Sequence, residues 1–126
     1  MGAFKSFPIQ ADEHLLAVCR YVERNPLRAN LVAAAQAWRW SSLGQRAQGG
    51  SAPTLAAGPV PLPADWVRHV NAPQTEAELE ALRRSVVRGM PFGHSGWQQD
   101  AAVRLGLEST LRTRGRPRKT QATPPK

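Results

Sequence analysis

Apolar residues recur at helical spacing along most of the chain and at strand spacing only near its start. In "ADEHLLAVCRYVERN", Leu15, Val18, Cys19 and Val22 predict a helix with Asp12 as its N-cap and Glu13 in its first turn. Its apolar face is expected to centre on Leu15, Cys19 and Val22. Pro26 disfavours helical geometry at Asn25, so the helix is expected to stop there. "PLRANLVAAAQAWRW" reads as a turn followed by a second helical piece, and "PADWVRHVN" as a short helix carrying Trp66, Val67 and Val70. "TEAELEALRRSVVRG" is the clearest helix. Thr75 and Glu78 form a capping box, Leu79, Leu82 and Val86 an apolar stripe, and Gly89 the stop. Arg83, Arg84 and Arg88 suit its C-terminal end. "SGWQQDAAVRLGLEST" predicts one more helix, with Trp97, Ala101 and Leu105 on one face and Gly106 near its close. By contrast, Phe4, Phe7 and Ile9 alternate imperfectly around Pro8, as in a short edge strand.

Gly, Pro and Ala interrupt this pattern between Gly44 and Pro63, and periodicity is lost after Leu107. The chain therefore divides into residues 1–43, a linker over 44–63, a helical region over 64–107 and a basic disordered tail over 108–126. Within the first part, Tyr21 and Asn25 are four residues apart and share one flank of the predicted helix. A half-buried aromatic and a helix-stopping Asn-Pro account for that spacing, and so does a nucleophile with a metal ligand one turn away.

Composition narrows the function classes. One cysteine, Cys19, cannot form an internal disulfide, so a reducing, cytoplasmic setting is the simplest expectation. No apolar run approaches a membrane span, and no membrane partner is expected. The formal net charge is +8, but it is unevenly spread. Residues 1–103 hold ten Lys or Arg against eight Asp or Glu, while residues 104–126 hold seven against one. That asymmetry suits contact with a phosphate backbone through counterion release, and it equally describes a solvated charged tail.

"FKSFPIQADEHLLAVCRYVERNPLRANLV", followed by "WRWSSL", "PADWVRHVN", "TEAELEALRRSV", "LGLESTLR" and "RGRPRK", resembles the C-terminal part of the REP-associated tyrosine transposases. These are IS200-like, single-strand DNA enzymes of the HUH class. The resemblance spans nearly the whole chain, with Tyr-x-x-x-Asn-Pro-x-Arg-Ala as its most specific element. It implies a mainly α chain with a short strand remnant: a truncated α+β ferredoxin-like domain, a small helical region and the tail. It also implies that Tyr21 is the nucleophile attacking a DNA phosphate, and that Asn25 joins two histidines around a divalent metal, Mg²⁺ or Mn²⁺.

The family's two histidines belong to a His-x-His motif, which this sequence lacks; it has only His14, His69 and His94. All three are expected on the surface. The chain alone is therefore expected neither to hold the metal stably nor to cleave DNA, and a missing N-terminal half or a homologous transposase would be the partner that completes it. Single-stranded or hairpin DNA is the implied substrate. "RGRPRK" adds an AT-hook core, and Arg114, Arg116, Arg118 and Lys119 within it, with Arg112 just before it, would contact DNA, including A·T-rich duplex. The two helices around Gly89 could form a helix-turn-helix-like pair or simply pack together. A non-catalytic DNA-binding regulatory module and a non-functional gene fragment are the competing readings.

If the tail supplies the main affinity, deleting Arg112 to Lys126 should weaken DNA binding at least about tenfold and flatten its salt dependence. Unchanged affinity would remove the tail from the interface. Arg114→Ala with Arg116→Ala should harm binding to A·T-rich duplex more than to G·C-rich duplex, and equal losses would reduce the hook to a plain basic tail.

Overall fold

A computed structural model describes residues 6–48, 55 and 58–112. Five α-helices are present among them: α1 (Glu13–Arg28), α2 (Ser42–Gln48), α3 (Trp66–Asn71), α4 (Glu76–Arg88) and α5 (Ser95–Leu105), with 3-10 turns at Ala35–Ala37 and Glu108–Leu111. The mainly helical expectation is met. Asp12 caps α1 by accepting from the His14 amide at 2.8 Å. Thr75 and Glu78 close the capping box of α4, and Gly89 and Gly106 end α4 and α5 in the left-handed conformation.

The expected stop at Asn25 is wrong. Helix α1 continues through Pro26 to Arg28. Proline in the last turn forfeits a single hydrogen bond to the carbonyl four residues earlier, and its ring is buried. The true stop is Asn30, whose φ of 61° places it in the left-handed region. Its amide donates to the Leu27 carbonyl at 3.0 Å and the Leu31 amide to the Pro26 carbonyl at 2.9 Å, the paired closure of a Schellman motif with asparagine in the usual glycine position. The second helical piece expected after Pro26 is reduced to the 3-10 turn Ala35–Ala37.

The face that α1 buries also differs from the expected one. Val22 is 61% exposed, whereas Arg20, Glu23 and Pro26 are buried. The core consists of Ala35, Leu43, Trp66 and Val70, with Leu16, Cys19 and Leu27 packed against it. Leu16, Glu23 and Leu27 repeat at intervals of seven and four residues, so one stripe of α1 is continuous in space but mixed in chemistry.

Its charged members are all paired. Glu23 Oε1 accepts from the Trp66 indole N–H at 2.7 Å, and Oε2 accepts from the Arg46 guanidinium at 2.6 Å and from the Ser42 hydroxyl. One carboxylate thus ties α1 to α2 and α3. Arg20 donates to the carbonyls of Ala72 and Pro73 at 2.9 and 3.1 Å, and Arg24 to those of Val70 and Asn71 at 3.1 and 2.6 Å. These carbonyls lie at the C-terminal end of α3, where a helix has no N–H donors of its own to offer them and carries partial negative charge. Asn71 then joins α3 to the first 3-10 turn: its side chain accepts from the Ala35 amide at 2.8 Å and donates to Gln36 Oε1 at 2.8 Å.

Helix α2 occupies the start of the stretch read as linker. Ser41 Oγ accepts from the Gly44 amide at 2.8 Å, and Leu43 is buried. Gly44 here serves close packing rather than a break, because a Cβ on it would lie 2.1 Å from the Trp38 carbonyl oxygen. Likewise, residues 108–111 of the expected disordered tail form a 3-10 turn, and residues 113–126 lie outside the described residues.

The strand remnant is not found: among the described residues there is no strand and no sheet. Phe4 lies outside them, and Ile9 makes only an isolated parallel bridge with Phe92. Phe92 donates to the Pro8 carbonyl and Gln10 to the Phe92 carbonyl, both at 2.9 Å. Pro8 lacks a donor, which limits pairing on this segment. The bridge nonetheless fixes residues 8–10 beside the connection between α4 and α5.

Glu23→Ala should lower unfolding free energy by about 2–4 kcal/mol, since it strands the buried indole N–H and removes charge-assisted hydrogen bonds. Glu23→Gln, which keeps an acceptor for Trp66, should cost less. Urea unfolding monitored by tryptophan fluorescence measures both, and a loss below about 0.5 kcal/mol for the alanine variant would show that the carboxylate does not organise the core.

Candidate functional site

The inward stripe of α1 builds the fold, and its outward stripe carries the residues singled out for chemistry. Tyr21 is half-buried and Asn25 exposed. Arg28 joins them. Its guanidinium lies 4.2 Å from the Tyr21 ring centroid and donates to Asn25 Oδ1 at 3.2 Å. Among the described residues the Tyr21 hydroxyl makes no hydrogen bond. Tyr21, Asn25 and Arg28 thus form a row at intervals of four and three residues, partly exposed and outside the core cluster.

This row does not fit a divalent metal. Its candidate ligand atom from the motif, Asn25 Oδ1, accepts from the Arg28 guanidinium, which places a positive charge where a cation would have to sit. Arg24 is shifted downward by burial and then by the like charges of Arg28 and Arg20. His14 lies eleven residues up the helix from Asn25, about 16 Å along the axis. Of the predicted DNA contacts, Arg112 is exposed and its carbonyl accepts from the Arg88 guanidinium. Arg114, Arg116, Arg118 and Lys119 lie outside the described residues.

A second grouping, which sequence reasoning missed, lies at the other end of α1. His69 and His94 are exposed as expected, while His14 is only partly so, with its side chain 20% accessible. Its ring meets His94 edge-on at 4.6 Å between centroids and Phe92 at 5.2 Å. Asp12 Oδ1 accepts from the His14 amide at 2.8 Å and pairs with His14 Nδ1 at 2.9 Å. His94 Nε2 lies 2.8 Å from Glu13 Oε2 and 3.6 Å from Asp12 Oδ2. Burial acts to raise the Asp12 carboxyl, but the hydrogen bonds from His14 and the two nearby imidazoles outweigh it and hold the group below its ordinary value. The available signal in the sequence was the run Asp12-Glu13-His14; its partner is 80 residues away, beyond any local pattern.

Glu13, His14 and Phe92 also line a cavity of about 500 Å³ between α1 and α4, with Leu16, Arg20 and Leu82 in its wall. Cys19 offers no nucleophile to the core side of α1. Burial and the Glu23 carboxylate push its thiol up, against a smaller opposing effect of Arg46.

No family model matches the chain, and neither a curated protein nor a solved structure matches it.

The two stripes of α1 should separate by mutation. Tyr21→Phe should change stability by less than about 0.5 kcal/mol, whereas Arg20→Ala, which uncaps α3, should cost about 2 kcal/mol or more. Equal losses in urea unfolding would mean that the outward row also supports the fold.

Proposed function

We propose that the chain is a DNA-associated protein of the REP-associated tyrosine transposase kind, which binds DNA and does not cleave it alone. The observation that carries this reading is the outward row of Tyr21, Asn25 and Arg28. The motif's tyrosine and asparagine have no task in the core, yet they stand together on an accessible face beside a cation. In the reaction that the resemblance implies, the Tyr21 phenol oxygen bonds to a DNA phosphorus, its proton departs, and the bond to the outgoing ribose oxygen breaks. Arg28 is suited to pair with the phosphate beside the attacking hydroxyl. The metal-binding histidines of that reaction have no counterpart near Asn25, so catalysis would require them from another polypeptide.

A non-catalytic DNA-binding module is the second reading, favoured by a separate observation. Trp40 is 68% exposed and Arg39 stacks over its ring at 4.1 Å. An exposed aromatic beside a cation is the pairing that single-strand binders use to stack bases.

Incubation with single-stranded hairpin DNA and Mg²⁺ or Mn²⁺, followed by a denaturing gel, separates the readings. The 126-residue chain should give no covalent adduct. Adding a polypeptide that carries the family's His-x-His strand should produce one, and Tyr21→Phe should abolish it with DNA binding intact. An adduct from the chain alone, or one that survives Tyr21→Phe, would overturn the assignment. DNA binding without any adduct in the supplemented reaction would support the module, and Trp40→Ala should then weaken single-strand binding.

A further inference from the structure

We infer that Asp12, Glu13, His14 and His94 form a binding site for a first-row divalent transition cation of the Zn²⁺ class, separate from the Tyr21 row and independent of the transposase reading. One ligand atom from each of the four residues lies within 4.8 Å of the other three. Donors sharing a tetrahedral ion at about 2.0–2.1 Å stand about 3.3–3.4 Å apart. The distances from His94 Nε2 to Glu13 and Asp12, 2.8 and 3.6 Å, bracket that value. Small side-chain rotations would therefore bring the donors onto one ion.

The backbone holds these donors in place from two sides. Asp12, Glu13 and His14 belong to the N-cap and first turn of α1, and His94 directly precedes α5. The bridge between Ile9 and Phe92 brings the two segments together, and Gln10 Oε1 accepts from the His94 amide at 2.8 Å. Gly93 permits this approach, since a Cβ there would lie 2.5 Å from the Trp97 ring and 2.6 Å from Gln10 Oε1. The donor set also selects the ion. Two carboxylates balance a divalent charge, while two imidazoles favour Zn²⁺, Co²⁺ or Ni²⁺ over Mg²⁺ or Ca²⁺. Because residues 12–14 and 94 lie on separate segments, a shared ion would clamp the start of α1 to the connection between α4 and α5.

The test titrates the tag-free 126-residue chain with Co²⁺ and then Zn²⁺, followed by visible absorption and calorimetry. The expected result is one Co²⁺ per chain, with the intense bands of low-coordinate cobalt, displaced by Zn²⁺ and not by excess Mg²⁺. His14→Ala and His94→Ala should each weaken binding at least about tenfold, while His69→Ala should leave it unchanged. Zn²⁺ should also raise the melting temperature of the wild-type chain and not that of His94→Ala. His94 is 61% exposed, so its replacement should leave the fold intact by circular dichroism; if His14→Ala fails to fold, His94→Ala decides alone. Absence of saturable binding, or binding that persists in His94→Ala, would overturn the site.

Discussion

The Glu23 carboxylate organises the core more than any apolar contact does. It is buried, and each of its oxygens is claimed by a different element: the Trp66 indole of α3 on one side, Ser42 and Arg46 of α2 on the other. A charge in that position is tolerated only because its hydrogen-bonding capacity is met. The demand works in both directions. The carboxylate fixes where Trp66 and α2 must lie, and the small core of Ala35, Leu43, Trp66 and Val70 closes around the positions so defined. With so little apolar volume available, polar specificity supplies what hydrophobic bulk alone would leave loose.

This arrangement explains which features were legible in the sequence. Signals confined to a few neighbouring residues read correctly: the Asp12 cap, the Thr75 and Glu78 box, and the glycine stops at Gly89 and Gly106 each depend on local geometry. The buried face of α1 did not. A periodicity argument assigns Arg20 and Glu23 to solvent and Val22 to the core, and the reverse holds because the partners of the charged residues come from 19 to 53 positions away. Pro26 was misread for a related reason, since its burial and the Asn30 closure offset one lost hydrogen bond. Gly44 was taken as a breaker when its missing side chain is what admits the Trp38 carbonyl. The pairing of His14 with His94 depends on the backbone bridge between Ile9 and Phe92, which no short window contains.

Helix α1 therefore divides its labour by face. Leu16, Arg20, Glu23 and Leu27 hold neighbouring elements, while Tyr21, Asn25 and Arg28 do not. Residues adjacent in the chain, such as Arg20 and Tyr21, answer to unrelated physical demands, and a rigid helix keeps the two sets in fixed relation. The first turn of the same helix carries a third function, presenting Asp12, Glu13 and His14 to His94.

Helix α3 is only six residues long, too short to persist on its own. The carbonyls at its end are satisfied by Arg20 and Arg24, and its indole by Glu23, so its existence is conditional on α1. Opening of residues 66–73 alone would take the carbonyl acceptors from the buried Arg20 and half-buried Arg24 guanidiniums and the indole donor from Glu23 Oε1, although Ser42 and Arg46 would still hold Oε2. The segment accordingly has no inexpensive partial opening of its own: amide protons in α3 should exchange through the same cooperative event that releases α1, despite the helix's length and surface position.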